Sequence, residues 1–449
     1  MPIFHKSIRT SAIVLSLLVV AASSLLLAGS AKVAHAAGTI TVNSTADTVA
    51  DDGECTLREA IIAANDDTAS GATPGECAAG SGADTINFAI TGAADFTIGG
   101  QNGYTILPDS DLPHLTSEVV IDGYSQTGAL ANTAVAPNPL NGRLLIEIDG
   151  QNAGSGVDGL TLDSGSDATT IKGLVINNYD NYAIMLDVAD VNVFGNYIGT
   201  NPAGTVAKAN EGGVTHRTIG PVHYGVGTNI GSVNAADRNL ISGNHDFALA
   251  PDNDWTVLGN YMGLAADGVT ALGNSHADGS GAITVDDCDG VVIGGTATGS
   301  ANVISANYMY GISPVSATNM VIQGNLIGTD YTGTIARGNG FAGVLIGGGS
   351  TNMQLGGTTQ AARNIISGNG TAGVLVGDTS GGVIEGNYIG LDSSGAELLP
   401  NGKFGVMMSS TASTLLGGTS AGARNVVSAN TLANVIVAGS MATTTGAVV

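Results

Sequence analysis

The sequence predicts an all-β protein: a single right-handed parallel β-helix solenoid with a short N-terminal capping helix. Three observations predict it. Nine asparagines, Asn181, Asn210, Asn244, Asn274, Asn307, Asn339, Asn369, Asn401 and Asn430, recur at spacings of 29 to 34 residues. From Asn307 onward each is followed four positions later by a strand start: Gly311-Ile312, Gly343-Val344, Gly373-Val374, Gly405-Val406 and Asn434-Val435. No apolar run of helical period lies inside the repeats, which excludes helical repeats and leucine-rich horseshoes. One turn asparagine and one strand start per fixed period describe a solenoid. An asparagine amide donates and accepts, so a stacked column bonds along its own length. Handedness follows from the general bias of parallel crossovers.

The N-terminus reads as a signal peptide over residues 1–36. His5, Lys6 and Arg9 precede an apolar run from Ala12 to Leu27, and Ala34-His35-Ala36 gives small residues at cleavage spacing. The competing reading is a membrane anchor, but Ser16, Ser23 and Ser24 interrupt the run. The next segment, 37–82, reads as a cap. Thr56 and Glu59 have capping-box spacing, and Leu57, Ala60, Ile61 and Ala64 form one apolar stripe, so one short helix is expected there. A helix of this kind covers the open end of a β-helix.

The run Cys55-Thr56-Leu57-Arg58-Glu59-Ala60 resembles the signature of CSLREA-domain proteins, secreted bacterial proteins with a pectin-lyase-like β-helix after the cap. Thr56 stands where that family has serine. The resemblance extends through the Asn-Val-Ile-Ser and Gly-Asn-Tyr-Ile-Gly repeats and implies fold and export, with no activity to carry over residue by residue. In an exported chain Cys55 and Cys77 are expected to form a disulfide, and Cys288 to be an incidental thiol.

Residues 83–449 read as the solenoid, with regular coils from about 181. Before that come irregular strands and a polar excursion over 124–141. The repeat is double, about 62 residues long: Gly324-Asn325-Leu326-Ile327-Gly328 and its copies carry a long loop, and Asn364-Ile365-Ile366-Ser367 and its copies a short one. A long-loop coil is thus expected to alternate with a short-loop coil. The C-terminal coil is followed by no capping helix, so the sequence suggests truncation, cover by a partner, or self-association through that coil.

Charge bounds the function. The chain carries 37 Asp+Glu against 13 Lys+Arg, a formal net charge of −24. This excludes nucleic acid and disfavours anionic membranes, while its acidic loops would suit calcium. No cofactor is required by any motif. There is no GxSxG elbow and no P-loop, and the histidines lack HxH, HExxH or CxxC spacing, so no zinc site is expected. The loop Thr329-Asp330-Tyr331-Thr332-Gly333 reads as an Asx-turn rather than a calcium loop.

Aligning the coils gives the outward columns of one sheet. The first holds Met185, Thr215, Ala250, Thr284, Ser313, Leu345, Leu375, Met407 and Ile436, ending in an apolar stripe that a loop covers or a partner contacts. The second holds Asp187, Arg217, Asp252 and Asp286. These four are the catalytic candidates, with Asp252 and Asp286 as cation holders or as acid and base, and Arg217 as base or carboxylate clamp. Trp255, His216 and His223 lie in the same coils and are the ligand-binding candidates. The bland alternative is a charge-compensating ladder. The expected function is a secreted or cell-surface structural and binding protein, adhesin-like and engaging polysaccharide or other surface components. The alternatives are a polysaccharide lyase or glycoside hydrolase, and a fragment of a larger surface protein.

Overall fold

The structure, a computed structural model, describes residues 38–219, 222–274 and 281–438. The segment 1–36, read above as a signal peptide, and the last residues of the chain lie outside them. The chain winds as a parallel β-helix. Successive coils contribute one strand to each of three sheets, as in Val321–Gln323, Leu326–Ile327 and Ala342–Ile346. The first and second sheets each hold 12 strands. The third is split into a 3-stranded and a 6-stranded part. No helix among the described residues is long and apolar enough to cross a membrane.

Each inner position is apolar because the lumen is dry. Ile322, Ile327 and Val344 of one coil stack on Leu355, Ile366 and Val374 of the next, all buried. Each contributes roughly 1.5–3 kcal/mol by burial. The helix Leu57–Asp66 buries Leu57, Ala60, Ile61, Ala63 and Ala64, and its Thr56/Glu59 capping box is formed as expected. Cys55 and Cys77 are joined, closing the segment beneath it. The strand Thr39–Val42 pairs with Asp84–Phe88 and opens the first sheet, so the solenoid begins inside the segment read as a cap.

Two asparagine columns, not one, run along the corners. Between the second and third sheets, Asn210, Asn244, Asn274, Asn307, Asn339, Asn369, Asn401 and Asn430 each donate Nδ2 to the next side chain, at 2.8 to 3.2 Å, ending on Asn434. Between the first and second sheets, Asn196, Asn239, Asn260, Asn302, Asn325, Asn364 and Asn387 do the same at 2.9 to 3.4 Å, ending on Asn425. Asn181 is not a rung. Its place is taken by Tyr179, whose N–H donates to Asn210 Oδ1 at 3.1 Å. The strands pair Tyr182 with Gly212, so Asn181 stands one residue before its strand and Asn210 two. The local register rules it out.

The glycine of the Gly-Val motif belongs to the same corner. A Cβ at Gly343 would lie 2.7 Å from Ile366 Cγ2 and 2.9 Å from Asn369 Nδ2, too close for either to stay in place. The expected alternation of coils also changes form. Every regular coil carries a long loop, but at alternate corners: Gly328–Asn339 between the second and third sheets, then Gly356–Asn364 between the first and second. In the former, Asp330 Oδ1 accepts from the backbone N–H of Thr334 and Ile335, the expected Asx-type turn. The excursion over 124–141 folds back onto the second sheet, held by buried Arg238, which donates to Ala134 O, Asn138 O and Gly259 O.

Asn339→Ala removes bonds to Asn307, Asn369 and Ile304 O and leaves buried partners unpaired. It is expected to cost about 1–3 kcal/mol, whereas Asn181→Ala should stay within about 0.5 kcal/mol of wild type. Urea-denaturation midpoints check this, and equal midpoints for both variants would mean the ladder contributes nothing.

Candidate functional site

The outer face of the third sheet, over its first coils, gathers a cluster of interacting charges. Strand pairing sets Leu162 beside Leu186 and Leu186 beside His216, so the next residues, Asp163, Asp187 and Arg217, are neighbours on adjacent rungs. Arg217 Nη1 lies 2.9 Å from Asp187 Oδ2. Asp163 Oδ2 lies 2.8 Å from His114 Nδ1, and His114 Nε2 is 3.7 Å from Asp111. Burial pushes the Asp187 carboxyl above its usual range; Arg217 opposes this, and the neighbouring Asp163 adds to it. Burial works to lower the His114 pKa, but the Asp163 and Asp111 carboxylates outweigh it and raise it above 6.5. Asp163 and His114 were missed at the sequence level because they sit in the irregular coils, before the asparagine period begins. Their signal was the Leu160-Thr161-Leu162 strand, which carries Asp163 at the same offset as Asp187.

The other end of these strands opens into a cleft of about 570 Å³, lined by Gln151, Ser155, Asn178, Asp180, Glu211 and His245 among others. Four neighbouring coils build it. Asp180 Oδ2 accepts from Ser155 Oγ at 2.7 Å and from Gly156 N at 2.8 Å, and these bonds hold its carboxyl below the usual range. His245 Nδ1 lies 3.2 Å from Glu211 Oε2. Asn178 is held from below by Asp149, which shares Lys208 with Glu147 at 3.0 and 2.8 Å. Between cleft and acid column, Tyr182 and Phe247 stack with ring centroids 5.6 Å apart. The extended strand Tyr182–Leu186 separates Asp180 from Asp187, a span of about 13 Å at roughly 3.3 Å per residue.

The remaining candidates divide. Asp252 does not face Asp286 as a cation or acid–base pair. It is fully buried, with Oδ1 at 2.5 Å from His223 Nδ1 and Oδ2 accepting from Gly225 N at 2.9 Å, whereas Asp286 is exposed. The chain turns inward after Pro251, so the outward register ends one residue short of Asp252. Trp255 is no ligand platform: it is fully buried, and Nε1 donates to Gly225 O at 2.6 Å. His216 and His223 do converge, on Asp252, and among the described residues these three form a group whose potential ligand atoms lie within 4.8 Å of one another. Cys288 is buried, and burial pushes its thiol up to about 12. The stripe Leu345, Leu375, Met407 and Ile436 is in register as expected and half-buried.

No family model matches the sequence. No curated protein matches it either. Among solved structures, the chain is similar to the enzymatically active domain of bacteriophage CBA120 tailspike protein 2, at 14% identity and TM-score 0.39, covering 75% of this chain and 46% of that one. It is also similar to the Dettilon tailspike protein, at 14% identity and TM-score 0.36, covering 79% and 62%. A third is PfbA, a surface adhesin of Streptococcus pneumoniae, at 10% identity and TM-score 0.29, covering 80% and 85%. The chain thus spans less than two thirds of either tailspike structure.

The raised pKa of His114 stabilises the fold fully below the ordinary histidine value and progressively less as pH rises through the folded value. An NMR titration is expected to place the His114 midpoint above 6.5 in wild type and to bring it down in Asp163→Asn. An unshifted midpoint in both proteins would contradict the Asp163 contact.

Proposed function

We propose that this chain is an exported surface protein that binds polysaccharide along the outer face of the third sheet, between Asp180 and Asp187. What carries the reading is the composition of that face: a polar cleft with Asp180, Glu211 and His245, the Tyr182–Phe247 stack, then Asp163, Asp187 and Arg217. Sugars present hydroxyl edges that carboxylates and amides bond, and C–H faces that rings cover. The length of the face suits several sugar units. Export fits the Cys55–Cys77 disulfide and the signal-like first 36 residues, and the CSLREA-like run at Cys55–Ala60 is in keeping with it.

A second reading, glycoside hydrolysis, rests on one observation: burial and the neighbouring Asp163 hold the Asp187 carboxyl above its usual range, which suits a proton donor with a second carboxylate beside it. The expectation that Asp252 and Asp286 perform catalysis is replaced by this pair. Calcium enters as an additive to test, since the acidic face would suit it.

On a glycan array the wild-type chain is expected to retain a saccharide class, with and without calcium. Glu211→Gln and Tyr182→Ala should each weaken binding by about tenfold or more, the loss of one charged hydrogen bond or one stacking face. Release of reducing ends that Asp187→Asn abolishes would select hydrolysis. Binding that neither Glu211→Gln nor Tyr182→Ala alters would place the ligand elsewhere and overturn the proposal.

A further inference from the structure

We propose that His216, His223 and Asp252 form a binding site for a divalent first-row transition-metal ion of the Zn²⁺ type. The group adjoins the saccharide face, His216 preceding Arg217, and arises from three separate segments. His216 ends the strand Gly212–His216, His223 ends the short hairpin made with Thr218–Ile219, and Asp252 follows Pro251 on the next coil.

The carboxylate is a built feature. Asp252 is fully buried, and backbone N–H groups hold it: Gly225 on Oδ2 at 2.9 Å and Asn253 on Oδ1 at 2.6 Å. A carboxylate so placed is costly unless a cation answers it. Both imidazoles do face it, His223 Nδ1 at 2.5 Å and His216 Nε2 at 3.9 Å. His216 Nδ1 lies 3.1 Å from Ala250 O. A carbonyl only accepts, so Nδ1 donates in this contact, and Nε2 is the ring nitrogen that faces Asp252. A bond from the other ring nitrogen to a backbone carbonyl is what orients a metal-ligating histidine.

The surroundings fix the three side chains. The His216 ring meets the edge of Trp255 at 6.4 Å, and Gly225 ties Trp255 Nε1 to the loop that also grips Asp252. A Cβ at Gly225 would come 2.9 Å from His216 Cβ, so the loop approaches this closely only as glycine. The His216 and His223 side chains are 9% and 20% exposed, which leaves a solvent route to the ligand atoms.

Metal–ligand bonds of about 2.0–2.2 Å put neighbouring ligands of a tetrahedral ion about 3.3 Å apart. The His223–Asp252 pair must open slightly and the His216–Asp252 pair close slightly to reach that spacing, shifts that side-chain rotation provides. A metal on Nδ1 displaces the hydrogen that bridges His223 and Asp252; the ligating imidazole is neutral with its one proton on Nε2, and only a proton in excess of that goes to solvent. Two imidazoles with one carboxylate select Zn²⁺ and its neighbours over the oxygen-seeking Ca²⁺ and Mg²⁺. Three protein ligands leave a coordination position for water or a ligand group.

Zn²⁺ alone, titrated into the full chain by calorimetry, is expected to fill one saturable site per chain that excess Ca²⁺ and Mg²⁺ do not block. Co²⁺ in its place should give visible absorption bands of a low-coordinate site. His223→Gln and His216→Gln should each weaken Zn²⁺ binding by roughly 100-fold or more, beyond what loss of an outer partner causes. Cys288→Ser and His245→Gln should leave it unchanged. Far-UV circular dichroism of each variant confirms that it folds, and the histidine variants avoid unpairing the buried Asp252. Absence of a saturable Zn²⁺ site, or binding undiminished in the His216→Gln/His223→Gln double variant, would show that the trio is only a hydrogen-bonded structural pair with a neighbour. Saccharide binding is read separately on the array, so failure of one proposal leaves the other standing.

Discussion

The whole solenoid depends on satisfying backbone groups at its corners. Strands pair with the coil above and the coil below, but the chain must turn three times per coil, and each turn leaves peptide groups pointing into a dry interior. At two of the three corners the asparagine columns solve this. In Asn339 the amide donates to Asn369 and to Ile304 O, while its oxygen accepts from the side chain and the backbone N–H of Asn307. Each rung is saturated by its neighbours, so the cost of burying one amide is met only when the column is continuous. Inward-facing apolar residues then fill the lumen that the columns bound.

This division of labour leaves the outside free. The long loops leave the corners at alternate positions, so insertions of different length do not disturb the stacked asparagines. Over the second sheet these loops and the 124–141 excursion close down on an outer apolar layer, including Leu240, Tyr261 and Val303, with Arg238 pinning them. The third sheet is treated differently. Its early coils keep an open, charged outer face, and its later coils present Leu345, Leu375 and Met407. Its 3-stranded and 6-stranded parts are separated by the coil that contains Asp252, where the chain departs from the sheet and the carboxylate turns inward.

Electrostatics on that face follow from crowding. Asp163, Asp187 and Arg217 are neighbours because parallel in-register strands stack equal positions about 4.8 Å apart. Stacked acids repel, and the chain answers with Arg217 on one rung and His114 from a loop on another. Asp180 has no such crowding; its hydroxyl and amide donors favour the charged form. One surface therefore holds carboxyls with opposite tendencies toward protonation, a property of the stacking rather than of any single residue.

The sequence by itself determined the repeat, the strand positions, the capping helix and most of one asparagine ladder, because these are local or periodic and each coil repeats the same solution. The Cys55–Cys77 pairing and the Arg217–Asp187 contact were legible for the same reason: an even cysteine pair in one short segment, and a register that counting from strand starts preserves. The second ladder was written in the Gly-Asn-Tyr-Ile-Gly and Asn-Val-Ile-Ser repeats, but its role as a column shows only when coils of unequal loop length are superposed. Only the tertiary structure decided that Asn181 falls out of register, that Trp255 packs inside, and that Asp252 turns from Asp286 toward His216 and His223. Those outcomes hang on irregular coils and on a loop folding back between rungs. There, the direction of a side chain is set by contacts distant in sequence, which no period encodes.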